Sequence, residues 1–394
     1  MQKLRRNSSG DKLHFLIYER MNEEESVLTI SSLLTSLGHR VSVIISDKID
    51  KIIHNNLREL NIEPIVIPFE FSKAINTINN FILQHPVDLI FFTRFRANSF
   101  IEFKLFKKFV KNNQVCSLID SYERWFKNIP PIKFNGWKII QRSPILDWVY
   151  CKLIKSSFSC YFVSDPHVDS NNPLKLLGQS KLNRAVLDFP FKIMNQEYSP
   201  IVKNEIVHFV IPGAIDKVRR NYSMVLKIFT SDEFINKEWK LILLGRPIGK
   251  YGNKIIDKCI AINKYFNEDK IIFFDHYISK ERFDEYMSLS DYIIAPIISH
   301  KYKYGKDSGA LYDVFLYNKI GIIDDGYYYN SRLPEREILV SYKNQKELHS
   351  ILLSMIDKSY SVEYLTKNIN EINLLFSREY YLNSIKLIIN NELF

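Results

Sequence analysis

The amino-acid sequence predicts an α/β protein made of two doubly wound, Rossmann-like halves. Its 394 residues are too many for one ordinary core. Apolar residues make up 46% and aromatic residues 14%, enough material for two cores and too much for a disordered chain. Short apolar runs alternate with helical patterns in two series, separated by an aperiodic stretch at 188–204 that contains Pro190 and Pro200. The expected division is a first Rossmann-like domain over 12–188, a linker over 189–204, a second Rossmann-like domain over 205–375, and a C-terminal helix over 376–394 that packs back on the first.

After a tail rich in Lys, Arg and Ser, the first series opens with a strand at His14–Tyr18 and a polar turn at Glu19–Glu25. A helix follows, with Val27, Ile30, Leu33, Leu34 and Leu37 at helical spacing; Gly38 ends it, and a strand runs over Val41–Ser46. This start places Glu19 to Asn22 at the carboxyl edge of a parallel sheet, where open α/β folds bind ligands. A helix ending over Asn56–Leu60, a strand at Pro64–Pro68, a helix at Ser72–Gln84 and a strand at Asp88–Thr93 continue the alternation. Further strands at Gln114–Ile119 and Ser159–Val163 leave Asp120, Ser121 and Glu123, then Ser164, Asp165 and His167, at their carboxyl ends.

The second series starts with a strand at Glu205–Ile211 and a Pro212–Gly213 turn, then a helix over Tyr222–Thr230. A strand at Lys240–Leu244 is stopped by Gly245; a helix at Ile255–Asn263, a strand at Lys270–Phe274 and a helix at Lys280–Ser290 follow. Next comes the stretch Ser290–Asp325: a strand at Tyr292–Pro296, a polar loop, a helix from about Ser308, and a strand at Lys319–Ile323. Beyond it, Gln345–Asp357 and Val362–Phe394 read as helices with no further strong strand.

The polar loop of that stretch suits a nucleotide diphosphate. Gly305 and Gly309 permit close backbone approach, Ser308 caps the helix, and the amides of Ser308, Gly309 and Ala310 face outward at its positive end. Lys301, Lys303 and Lys306 add charge, and Asp313, one turn on, is placed for a ribose. A second basic group, Lys217, Arg219 and Arg220, follows the Pro-Gly turn. Plain structural roles compete with these: a capped helix with a solvated lysine loop, and a solvated helix start. Asp120 is a candidate base or acceptor-orienting group, with Glu123 second, against the alternative that Asp120 caps a turn.

With 54 Lys and Arg against 44 Asp and Glu, the formal charge is +10, which points to an anionic partner. From Lys104 to Lys155 the cations are interleaved with aromatic residues such as Phe103, Trp125, Trp137 and Trp148, a mixture suited to anionic lipid headgroups. Nucleic acid is not expected, because the cations are spread along the chain and no recognition motif appears. Cys116, Cys151, Cys160 and Cys259 show no metal spacing and are expected to be reduced. The polar, basic start and the lack of an apolar run of about 18 residues place the chain in the cytoplasm, with peripheral contact at the inner face of the membrane.

The order of elements resembles a GT-B glycosyltransferase, two Rossmann-like domains facing each other across a cleft, and the second half resembles the family 4 (group 1) type. Four stretches carry the resemblance: Gly38-His39-Arg40-Val41 after the first helix, IPGAIDKVRRNY at 211–222, WKLILLG at 239–245, and the stretch around Ser308. It implies a nucleotide-diphosphate sugar as donor and a glycan or lipid-linked glycan as acceptor, in surface polysaccharide biosynthesis, with neither metal nor separate cofactor. The donor-binding residues it implies are Gly213, Lys217, Arg219, Arg220, Gly245, Lys306, Ser308, Gly309, Ala310 and Asp313, with Arg219 as the main phosphate contact. The family's Glu-x7-Glu pattern is altered: Asp313 holds the second position and Gly305 the first, with Asp307 nearby as a substitute. Ala214 stands where an arginine is common, and ERMNEEE replaces the glycine-rich loop after the first strand. Retention of configuration is implied, and the lost first glutamate keeps inversion open. A non-catalytic sugar-nucleotide scaffold, a nucleic-acid binder and an epimerase or phosphorylase-like enzyme are the competing readings.

Overall fold

The structure is a computed structural model that describes residues 12–20, 24–93, 114–119, 160–163, 205–299, 308–328, 337–365, 367–369 and 377–389. The candidates Asp120, Glu123, Gly305, Lys306 and Asp307, the cations and aromatic residues between Lys104 and Lys155, and the expected linker lie outside these residues. The chain divides into two units: Met1–Asp165, Asp169–Ile193 and Arg378–Phe394 form one, and Pro166–Val168 with Met194–Ser377 the other.

In the first unit, β1 (His14–Glu19), β2 (Arg40–Ser46), β3 (Ile65–Ile67), β4 (Leu89–Phe92), β5 (Gln114–Ile119) and β6 (Cys160–Val163) form a parallel sheet in the order β3-β2-β1-β4-β5-β6. All six residues of β1 are buried, as expected of a strand covered on both faces. The helix Glu24–Ser36 buries Val27, Ile30, Leu33 and Leu34, the face its spacing marks. Against it lies the helix Arg378–Ile388, whose Arg378 donates to the Ser32 hydroxyl at 2.8 Å and the Ser36 hydroxyl at 2.6 Å.

In the second unit, β7 (Val207–Pro212), β8 (Trp239–Leu244), β9 (Ile271–Phe273), β10 (Tyr292–Ala295), β11 (Ile320–Asp324) and β12 (Leu339–Tyr342) form a second parallel sheet, ordered β12-β11-β10-β7-β8-β9. Aromatic rings fill one side of it: Phe229 packs on Trp239 at 4.7 Å and on Phe234 at 5.3 Å, and the Trp239 indole donates to the Phe234 carbonyl. The strand β12 lies beyond the last strand the sequence marks, where no further strong strand is expected. It is four residues long and pairs only with β11, so it offers too little apolar alternation to stand out. The helix at Gly249–Phe266 also starts before the expected Ile255, because its first turns, GKYGNK, are polar and hold two glycines.

In both sheets the chain winds outward from its first strand and then returns to that strand's other side. A switch point thus lies between β1 and β4 in one unit and between β7 and β10 in the other. Each of these strand pairs is latched at its amino end in the same way. The His14 amide donates to Asp88 Oδ2 at 2.7 Å while the Asp88 amide donates to the His14 carbonyl at 2.8 Å. The His208 amide donates to Asp291 Oδ2 at 2.8 Å while the Asp291 amide donates to the His208 carbonyl at 2.9 Å. The sequence echoes the repeat, His14-Phe15 against His208-Phe209.

Burial pushes both imidazoles below their usual pKa, although the Pro86 carbonyl opposes this at His14 and the Asp291 charge opposes it at His208. A histidine with a depressed folded-state pKa stabilises the fold above its unfolded value of 6.5, and that contribution is lost as pH falls toward the folded value. The melting temperature should therefore decline from pH 7.5 to pH 5, and His208→Gln should flatten part of the decline. A scan of melting temperature against pH checks this; a flat profile in the wild type would contradict it.

Candidate active site

The carboxyl edge of the second sheet carries the donor-binding candidates that fall among the described residues. After β7 the chain makes a turn at Gly213, whose φ of +95° is a left-handed conformation that favours glycine. The next strand ends at Gly245, where a β-carbon would overlap the Gly213 carbonyl and lie 2.9 Å from the Ala214 amide nitrogen. The two loops are joined by backbone bonds: Gly213 to the Leu244 carbonyl at 2.9 Å, Ile215 to the Arg246 carbonyl at 2.9 Å, and Ile248 to the Ile215 carbonyl at 3.0 Å.

Three side chains complete the turn. Arg220, 9% exposed, donates to the Pro212 carbonyl, and its guanidinium occupies the space a Gly213 side chain would need. The Tyr222 hydroxyl donates to the Gly213 carbonyl at 2.9 Å, and burial pushes its pKa up. Asn221 caps the helix Tyr222–Phe229 by accepting from the Met224 amide at 3.2 Å. The loop after β10 then closes on the same turn, as the Asn221 amide donates to the Pro296 carbonyl at 2.8 Å and the Ile298 amide to the Arg219 carbonyl at 2.9 Å. Loops from β7, β8 and β10, the strands at and beside the switch point, are thereby sewn into one rim.

Arg219 is the cation this rim presents. Its side chain is 47% exposed, and Asp216 fixes it by a 2.7 Å bond from Nε. Burial alone would raise the Asp216 carboxyl pKa, but the bonds from Arg219, its charge and the Val218 amide outweigh that and hold it low. Asp216 is therefore ionised at neutral pH, and the Nη donors of Arg219 are left clear of it. Lys217 is exposed beside it, and three cations stand here against the single carboxylate of Asp216.

The helix Gly309–Leu316 begins at the same edge, with Ser308 at its N-cap in extended conformation but without a side-chain cap bond. Gly309 is exposed, and a β-carbon on it would meet nothing within 4 Å. Ser308 and Ala310 are each 2% exposed and Asp313 4%, so of the three residues expected to form the amide cradle Gly309 is the exposed one. Reasoning from sequence put Arg220 among the donor ligands; the structure makes it the brace of the turn. It also passed over Asp216, which a spacing of three residues before Arg219 could have flagged, and Ser299 and Asp324, which meet only through pairing of β10 with β11.

The carboxyl edge of the first sheet is tied differently. Glu19, 1% exposed at the end of β1, accepts a hydrogen bond from Thr93 after β4. Arg20 donates to the Phe69 carbonyl at 2.9 Å and lies over its ring, as does Lys48. Among the described residues no group of three His, Cys, Asp or Glu is placed to hold a metal ion, and no helix is long and apolar enough to cross a membrane.

No protein-family model and no curated protein matches the sequence. Solved structures do match over nearly the whole length. Anabaena HepE in complex with UDP and glucose superposes with a TM-score of 0.65 at 10% identity, covering 96% of this chain and 100% of that one. A glycosyltransferase from Rickettsia africae gives 0.62 at 13% identity, covering 97% and 100%. A structure described as a UDP-N-acetylglucosamine 2-epimerase from Listeria monocytogenes gives 0.60 at 14% identity, covering 97% of each chain. The fold is GT-B. In that fold the sewn rim lies at the carboxyl edge of the second sheet, beside its switch point.

Gly245→Ala should push the β7 and β8 loops apart and lower the melting temperature of the protein by several degrees. Gly213→Ala should do the same by displacing Arg220, at a cost of about 1–3 kcal/mol for the strained backbone. Thermal unfolding of both variants measures this; wild-type stability in either would show that the close approach is not needed.

Proposed function

We propose that this chain is a glycosyltransferase of the family 4 type, moving a sugar from a nucleotide-diphosphate sugar to a glycan or lipid-linked glycan. The observation behind it is Arg219, pinned by Asp216 on a rim at the switch point of a GT-B unit, beside the exposed Lys217. HepE in complex with UDP and glucose and an Escherichia coli structure bound with UDP-2-fluoro glucose support a sugar nucleotide as the ligand.

The chemistry follows from the charges. The bond between the anomeric carbon and the diphosphate oxygen breaks, an acceptor hydroxyl oxygen bonds to that carbon, and the hydroxyl proton passes to a carboxylate, for which Asp120, Glu123 and Asp307 are the candidates. Negative charge grows on the departing diphosphate, so Arg219, Lys217, Lys306 and the Gly309 amide stabilise the transition state more than the ground state. No metal or separate cofactor belongs to this reading. Retention of configuration is favoured, with the acceptor oxygen bonding to the anomeric carbon on the face from which the diphosphate departs. The interleaved cations and aromatics between Lys104 and Lys155 support an anionic, membrane-bound acceptor at the cytoplasmic face and a role in surface polysaccharide synthesis. A second reading, a nucleotide-sugar epimerase, has the Listeria neighbour behind it.

The test is a thermal-shift and calorimetric screen against UDP, GDP, dTDP, ADP and their sugar conjugates. One diphosphate should raise the melting temperature, and Arg219→Ala should weaken it about tenfold to a hundredfold while leaving the nucleoside nearly unaffected. Equal loss for nucleoside and diphosphate would remove the phosphate role. Conversion of the sugar nucleotide without any acceptor would favour the epimerase; steeply salt-dependent binding to DNA in place of nucleotide would overturn both.

A further inference from the structure

The resemblance implies a carboxylate for sugar contact at the first position of the Glu-x7-Glu pattern, and glycine at 305 offers none. The structure supplies a carboxylate from another element. Asp324, the last residue of β11, is half-buried, and it accepts hydrogen bonds from the Ser299 hydroxyl and from the amides of Gly326 and Tyr327. Ser299 follows directly on Ile298, whose amide holds the Arg219 carbonyl at 2.9 Å. One short loop after β10 therefore grips Arg219 by its backbone and Asp324 by a side chain.

The alternative is that Asp324 merely caps the short helix Asp325–Tyr328. Capping accounts for the two amide bonds. It accounts neither for the Ser299 link nor for Gly326. Gly326 is exposed and is not among the residues of positive φ, so backbone conformation does not call for glycine there. A β-carbon at 326 would instead lie 3.0 Å from the Ser299 hydroxyl and 3.2 Å from Asp324 Oδ1, covering both polar atoms. Glycine keeps that face open. Burial also pushes the Asp324 pKa up against its three hydrogen bonds, with the neighbouring Asp325 charge acting in the same direction. A carboxyl kept at such cost beside an uncovered face is suited to accept hydrogen bonds from a ligand. Next to it, Asp325 Oδ1 is buried with no hydrogen-bond partner among the described residues.

We propose that Asp324, oriented by Ser299, binds the hydroxyl groups of the donor sugar, in place of the carboxylate that the family pattern puts at position 305. This rests on the donor reading above. A carboxylate accepts from two adjacent hydroxyls at once, so the ligand class is a hexose with vicinal free hydroxyls, attached to the diphosphate held at Arg219.

The experiment compares UDP with UDP-glucose, and GDP with GDP-mannose, by calorimetry on the full chain. The variants are Asp324→Asn, which can still accept from Ser299 and the two amides, and Gly326→Ala, which covers the carboxyl without removing it. Both should bind the free diphosphate as the wild type does and lose about tenfold or more in affinity for the sugar conjugate. Unchanged affinity for the conjugate in both variants, or equal loss for diphosphate and conjugate, would overturn the assignment while leaving the donor reading in place. The comparison is extended to dTDP, ADP and their glucose conjugates, and a wild type that binds none of these ligands would overturn the donor reading and this assignment with it.

Discussion

Gly213 and Gly245 meet backbone to backbone at the carboxyl edge of the second sheet, and the rim around them exists because neither carries a side chain. The contact lets the β7 and β8 loops continue pairing past the ends of their strands, as the bonds from Ile215 and Ile248 show. It also leaves the space under Gly213 to the Arg220 guanidinium, which satisfies the Pro212 carbonyl and sets the path into the helix Tyr222–Phe229. Arg219 is the next residue back, so its outward direction is fixed by the inward direction of Arg220. A side chain held by Asp216 before any ligand arrives would lose little freedom on contact.

The two units share a plan and differ in what they place on it. Each sheet switches direction beside its first strand, and each locks that place with a histidine and an aspartate exchanging backbone bonds. The latches lie at the amino ends, away from the ligand edge, so they hold the central strands in register without entering the site. At the carboxyl ends the units diverge. The second has an exposed Arg219 and an open helix start at Gly309; the first has a buried Glu19 bonded to Thr93 and an aromatic ring flanked by Arg20 and Lys48.

Most of the fold was legible in the sequence because buried parallel strands are short continuous apolar runs, and these recur at nearly even spacing. The strand Gln114–Ile119 follows directly from such a pattern. Strand β12 did not stand out, since LVSY is short and sits at the sheet edge. The site was legible only in part. A Pro-Gly turn and a basic run mark the 212–220 loop, but which arginine points outward depends on Gly213 and Tyr222, both resolved only by tertiary contact. Ser299 and Asp324 are 25 positions apart in the numbering, and no local pattern joins them; parallel pairing of β10 and β11 does.

The central claim is that the rim of the second unit holds the nucleotide diphosphate. Hydrogen exchange of the full chain with and without UDP-glucose tests it most directly, because amides covered or rigidified by a ligand exchange more slowly. Protection is predicted in the segments 213–221, 245–249 and 296–299 and at the start of the helix Gly309–Leu316. Protection confined to the β1 and β4 edge of the first unit, with the rim unchanged while the ligand is bound, would contradict the account.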